Sequence, residues 1–125
     1  MNAVRKQSDR YLSSETAEQE ALIEYCDMRH IPIIHIPNEG KRSAAYAAQM
    51  KRAGLRKGFP DLFVPLAREG YHGLFIELKY GRGKTSPEQE EWLALLSLNG
   101  YRAVVCRGFE EAAREICRYA KNEKI

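Results

Sequence analysis

The sequence predicts an α/β fold: a small mixed β-sheet flanked by helices, in the order α-β-α-β-β-α-β-α. Apolar residues recur at helical spacing in several segments. Short β-branched or apolar runs lie between those segments. Two of the runs follow one another across a Gly-containing turn, as a hairpin does, whereas the others are separated by helices.

Residues 14–29 read as the first helix. Ser14 can cap it, and Ala17, Ala21, Leu22, Tyr25 and Met28 recur at helical spacing. Residues 1–13 read as a flexible tail, and residues 14–125 as a single domain. Residues 32–36 are short and β-branched and end at Pro37-Asn38-Glu39-Gly40, so they read as a strand. Residues 43–53 are Ala-rich and helical, stopping at Gly54. Residues 61–66 and 73–79 read as strands joined through the Arg68-Glu69-Gly70 turn. A Gly81-Arg82-Gly83-Lys84 loop follows. Ser86 then caps a helix, with Pro87 at its first position and Gln89 placed to complete a capping box. That helix stops at Asn99-Gly100, with Trp92, Leu93, Leu95, Leu96 and Leu98 read as core. Residues 101–106 form a strand and residues 109–120 the final helix.

The chain has 125 residues, 44% of them apolar and 30% charged, which excludes a disordered polymer. No apolar run approaches the roughly 18 residues a membrane helix needs. The N-terminal stretch lacks the apolar segment of a signal peptide. Cys26, Cys106 and Cys117 cannot all pair, and none has metal-binding spacing, so a reducing, cytoplasmic setting is expected. Net charge is +3. Its distribution says more. Residues 41–60 contain no acid but carry Lys41, Arg42, Lys51, Arg52, Arg56 and Lys57, a cluster that would attract a phosphate backbone.

The chemistry concentrates at Pro60-Asp61, opening one strand, and Glu77-Leu78-Lys79, closing the next. Alternate residues of a strand share a face, so Glu77 and Lys79 point together. If the hairpin pairs, Asp61 falls near Glu77. Two carboxylates make hard oxygen ligands suited to Mg²⁺ or Mn²⁺, a cation that polarises phosphodiesters and activates water. A neighbouring ammonium can stabilise developing negative charge. The bland reading is an exposed Glu and Lys on a polar strand face, but the flanking Leu74, Phe75, Ile76 and Leu78 read as buried. On a helical wheel Glu18 lies amid Ala21, Leu22, Tyr25 and Cys26, with Glu15 nearer the edge of that arc and Glu20 and Glu24 facing away. A carboxylate on a buried face needs a metal, a cation or a helix cap as partner. Gly81-Arg82-Gly83-Lys84-Thr85 imitates a phosphate-binding loop. The glycine that motif requires is replaced by Leu78, so no nucleotide cofactor is expected. His30, His35 and His72 show no metal spacing and read as structural or surface residues.

The stretches Gly58-Phe59-Pro60-Asp61-Leu62, Phe75-Ile76-Glu77-Leu78-Lys79 and Ser86-Pro87-Glu88-Gln89, with the glycine-rich loop between the last two, resemble the VRR-NUC branch of the PD-(D/E)xK nuclease superfamily. Within it the chain looks like the small stand-alone proteins of phages and prophages. This resemblance implies a restriction-endonuclease-like core. It also implies that Asp61, Glu77 and the Leu78 carbonyl bind Mg²⁺ or Mn²⁺, that Glu18 completes the site, that Lys79 is the catalytic lysine, and that Gln89 supports it. The function expected is a metal-dependent DNA endonuclease, a homodimer cutting branched DNA such as four-way junctions. Lys41, Arg42, Lys51, Arg52, Arg56, Lys57, Arg82 and Lys84 would hold the DNA backbone. The alternatives are a non-catalytic nucleic-acid-binding module of a replication or repair complex, and an RNA-directed nuclease. The acid pair inside a basic surface argues against the first.

Overall fold

The computed structural model describes residues 7–37 and 43–121. Its elements are α1 (Gln7–Met28), β1 (Ile34–His35), α2 (Ala44–Arg52), β2 (Leu62–Val64), β3 (Leu74–Lys79), α3 (Pro87–Leu98), β4 (Arg102–Arg107) and α4 (Gly108–Lys121). The predicted element order is thus the observed one. The sheet runs β1-β2-β3-β4, with β1–β2 and β2–β3 antiparallel and β3–β4 parallel. The α3 crossover makes the parallel pair possible, because parallel neighbours cannot be joined by a tight turn.

The hairpin tip is a two-residue turn. Glu69 and Gly70 take φ of 55° and 83°, the left-handed pair that matches strand twist. Arg68 and Tyr71 exchange backbone hydrogen bonds across it, at 3.2 and 2.8 Å.

Side chains alternate along β3, so it buries two different surfaces. Leu74, Ile76 and Leu78 join Leu62 and Val64 in one cluster with Leu22 and Cys26 of α1 and Ala112, Ala113, Ile116 and Tyr119 of α4. Phe75 belongs to an aromatic group: it stacks on Phe63 at 4.3 Å and meets Phe59 and Tyr101 edge-on, and Phe59 in turn meets Trp92 of α3. Glu77 and Lys79 share the Phe75 side.

Four expectations need correction. The tail read as residues 1–13 is helical from Gln7, because no Gly or Pro interrupts residues 7–28; Ser14 therefore lies inside α1 rather than at its cap. Residues 1–6 lie outside the described residues. Within α1 the buried line is Leu22 and Cys26, four apart; Ala17 and Ala21 are exposed and Met28 is 72% exposed, half a turn away from Cys26. In α3 no residue is fully buried. Trp92, Leu93 and Leu96 are half-buried, while Leu95 and Leu98 are 48% and 83% exposed. That helix is apolar nearly all round its last turns, but the sheet supports only one side. β1 is also shorter than the predicted strand, being two exposed residues held between Pro32 and Pro37.

Candidate metal centre at the end of the hairpin

The β2–β3 register pairs Leu62 with Ile76, so the next rung sets Asp61 opposite Glu77. The rung after that would pair Pro60 with Leu78. Proline has no N–H, and the ladder cannot continue through it. The Leu78 N–H is instead taken by the Asp61 carboxylate, at 2.9 Å. A strand residue's N–H and C=O point to the same side. The Leu78 carbonyl therefore faces the place where the proline offers no donor.

Glu77 is 3% exposed. Its Oε2 accepts a hydrogen bond from Gln89 Nε2 at 2.8 Å and lies 3.6 Å from Lys79 Nζ. Its Oε1 is buried and has no hydrogen-bond partner. Gln89 is itself fixed by the capping box read from sequence: its Oε1 accepts from the Ser86 N–H at 2.8 Å, and its own N–H donates to Ser86 Oγ at 3.2 Å. One amide thus ties the start of α3 to the end of β3.

Burial, and next the adjacent Asp61 charge, push the Glu77 carboxyl up to about 7, against the opposing pull of Lys79. Burial also raises Asp61, while the Leu78 N–H and the charges of His35 and Lys79 act the other way. His35, read from sequence as a surface residue, therefore stands close enough to Asp61 to influence it. Burial pushes the Tyr80 phenol up to about 12, and its hydroxyl is also without a partner.

Asp61, Glu77, Leu78 and Lys79 line a cleft together with Glu15, Gln19, Tyr80 and Gly83. Glu18 is not among them. It lies on the Leu22–Cys26 line, as the wheel has it, but its Oε1 accepts the Phe109 N–H at 3.0 Å and caps α4. The carboxylate that α1 turns to the cleft is Glu15, one turn earlier. Among the described residues no three His, Cys, Asp or Glu side chains form a ready metal cluster. What converges is an oxygen set: Asp61, the unpartnered Glu77 Oε1 and the Leu78 carbonyl. Two like charges held together, with a buried orphan oxygen, fit a hard divalent cation such as Mg²⁺ or Mn²⁺.

Lys51, Arg52, Arg56, Lys57, Arg82 and Lys84 are all exposed. Lys41 and Arg42 lie outside the described residues. The segment carrying Lys57 is held to α3: Trp92 Nε1 donates to the Lys57 carbonyl at 3.2 Å, and Gly58 packs so closely that a Cβ there would lie 2.8 Å from Glu88 Cβ. Sequence reading passed over Arg107, whose guanidinium bonds the glycine-rich loop. Its one signal was position, at the end of the strand beside Glu77-Leu78-Lys79.

The VRR-NUC domain family matches residues 13–110. A solved structure of a VRR-NUC domain protein is similar to this chain at 38% identity, covering 74% of this chain and 70% of that one with a TM-score of 0.65. No curated protein matches.

Proposed function

The chain belongs to the VRR-NUC domain family, a nuclease-type family associated with DNA binding, and on that premise we propose that it is a Mg²⁺- or Mn²⁺-dependent endonuclease acting on branched DNA as a homodimer. The observation that carries the metal dependence is the buried, unpartnered Glu77 Oε1 beside Asp61 and Lys79.

When bound, a divalent cation would polarise the scissile phosphodiester and make water a stronger nucleophile. The chain's part is to supply ligands and charge. Asp61, Glu77 and the Leu78 carbonyl offer the oxygens, and Glu15 rather than Glu18 adds a carboxylate from α1. Gln89 holds one Glu77 oxygen and leaves the other free, where it would serve as a ligand. Lys79 Nζ, paired with Glu77, stands ready to orient water and to stabilise charge developing on the phosphate.

Cleavage is expected to stop in EDTA and to return with Mg²⁺ or Mn²⁺. Asp61→Ala should be folded and inactive. Lys79→Ala should bind DNA but cut at least ~100-fold more slowly, the cost of losing one transition-state donor. Full activity in EDTA, or parental cutting by Lys79→Ala, would overturn the reading. The chain carries a single Glu77-Leu78-Lys79 set, so paired cuts on a two-fold junction require two copies. Light scattering should show a dimer, and nick mapping on a four-way junction should show near-symmetric cuts. A strict monomer would reject the dimer and junction part.

A further inference from the structure

We propose that Arg107 is a positioning residue for the glycine-rich loop, fixing the Arg82 and Lys84 cations at the rim of the cleft to receive backbone phosphates. The ligand class rests on the nuclease reading; the anchoring itself does not.

Arg107 ends β4 and is the register partner of Lys79. Paired residues of neighbouring strands project to the same face, so the Arg107 side chain rises beside Lys79. Its Nη1 donates to the Gly83 carbonyl at 2.5 Å and to the Gly81 carbonyl at 3.3 Å. Donors that carry charge make the stronger hydrogen bonds. The anchor is itself held, because the Arg107 N–H donates to Glu111 Oε1 of α4 at 2.8 Å.

The loop needs such an anchor. Gly81 sits at φ +58°, and two glycines in four residues leave the backbone unusually free when nothing holds it. Arg82 and Lys84 are exposed and contribute no apolar packing. One internal bond, Gly83 N–H to the Tyr80 carbonyl at 3.1 Å, closes the turn, and Thr85 to Glu90 ties its far end to α3. Arg107 ties the middle to the sheet. The held backbone also forms a wall of the cleft: Gly83 lines it, and a Cβ there would lie 3.8 Å from Lys79 Cδ. A cation on a held loop meets a phosphate without first losing the freedom of a loose chain. The plain alternative is an arginine that only solvates the end of the sheet. It leaves unexplained why the guanidinium converges on two carbonyls of one loop.

The test compares Arg107→Ala, Arg107→Lys, the Arg82→Ala/Lys84→Ala pair and the triple variant. Trypsin applied without DNA reads the loop directly, since Arg82 and Lys84 are its targets. Arg107→Ala should be nicked there about tenfold faster, the loss of one charged hydrogen bond. With Ca²⁺ in place of Mg²⁺, fluorescence anisotropy should show DNA bound about tenfold more weakly by the same measure. In cleavage assays KM should rise with kcat within about threefold, whereas simple misfolding would lower kcat at constant KM. Arg107→Lys should restore part of the affinity, since an ammonium can make one of the two bonds. In the Arg82→Ala/Lys84→Ala background, Arg107→Ala should add nothing. Unchanged trypsin kinetics in Arg107→Ala would overturn the proposal, and so would additive losses in the triple variant. A parent protein that neither binds nor cuts DNA would sink the nuclease reading instead, and the trypsin arm would still decide the anchor.

Discussion

A carboxyl group that is 3% exposed and faces a second carboxyl group holds its proton more tightly than one in water. Folded Glu77 titrates near 7, and an unfolded Glu near about 4.3. Between those values the native state binds more protons, so stability must fall as pH rises through that window. The metal-free protein is therefore expected to be more stable at pH 5.5 than at pH 8, by no more than about 3 kcal/mol for this one group, and to melt at a correspondingly higher temperature. On the proposed metal reading, Mg²⁺ at pH 8 should recover the loss, because a ligand of the folded state alone stabilises it. Melting points that ignore both pH and Mg²⁺ would contradict this account of the pair. The α1 carboxylates separate in the same way. Glu18→Gln keeps an oxygen for the Phe109 N–H but loses its charge at the start of α4, which should cost under about 1 kcal/mol and leave cutting intact. Glu15→Gln should melt normally and cut slowly at saturating Mg²⁺. The reverse pattern, read by calorimetry and cleavage rate, would return the catalytic role to Glu18. Asp61 and Glu77 were legible because the hairpin that opposes them is local. The Glu18 partner was not, because it lies 91 residues away and a helical wheel says which stripe is buried but not against what.

Among elements, α3 shows both what patterning reveals and what it hides. Its start was readable to the residue, since Ser86, Pro87 and Gln89 form a local motif that closes as written. Its core face was not. Leu95 and Leu98 carry the same apolar signal as Leu96, and only the position of the sheet decides which is covered. The start of α1 was hidden for a related reason, since no breaker marks it. A further dependence could not be read at all: the first turn of α3 rests on Gly58. Gly58 has φ +88°, and a Cβ there would approach Glu88 Cβ to 2.8 Å and the Gln89 nitrogen to 2.9 Å. Gly58→Ala must strain the backbone and push α3 outward, taking Gln89 from Glu77. The expected loss is about 2–4 kcal/mol in denaturant unfolding, backbone strain and overpacking together. Weaker Mg²⁺ binding by calorimetry should accompany it. Parental stability and parental Mg²⁺ affinity in that variant would show that the contact does not hold the helix.

At the scale of the molecule, element order and sheet composition followed from the alternation of helical and strand periods, and the match to the family covers residues 13–110. The charge layout also acts at this scale. If the named cations meet phosphates, log Kd for DNA should rise linearly with log salt, with a slope no steeper than about +7 for all eight of them, and Arg82→Ala/Lys84→Ala should flatten it by about 2. A slope near zero would deny backbone contact. The hairpin has one more consequence, and it concerns the order in which the chain assembles. Asp61 and its partner Leu78 are 17 residues apart, whereas the Glu18 cap closes a loop of 91. Short loops close first, and strands that pair in parallel through a crossover join late. On that order the two carboxylates meet while most of the chain is still loose, and their repulsion burdens the nucleus as well as the finished protein. Relieving it with Mg²⁺ or mild acid would speed refolding, while loosening the Glu18 cap would mainly quicken unfolding.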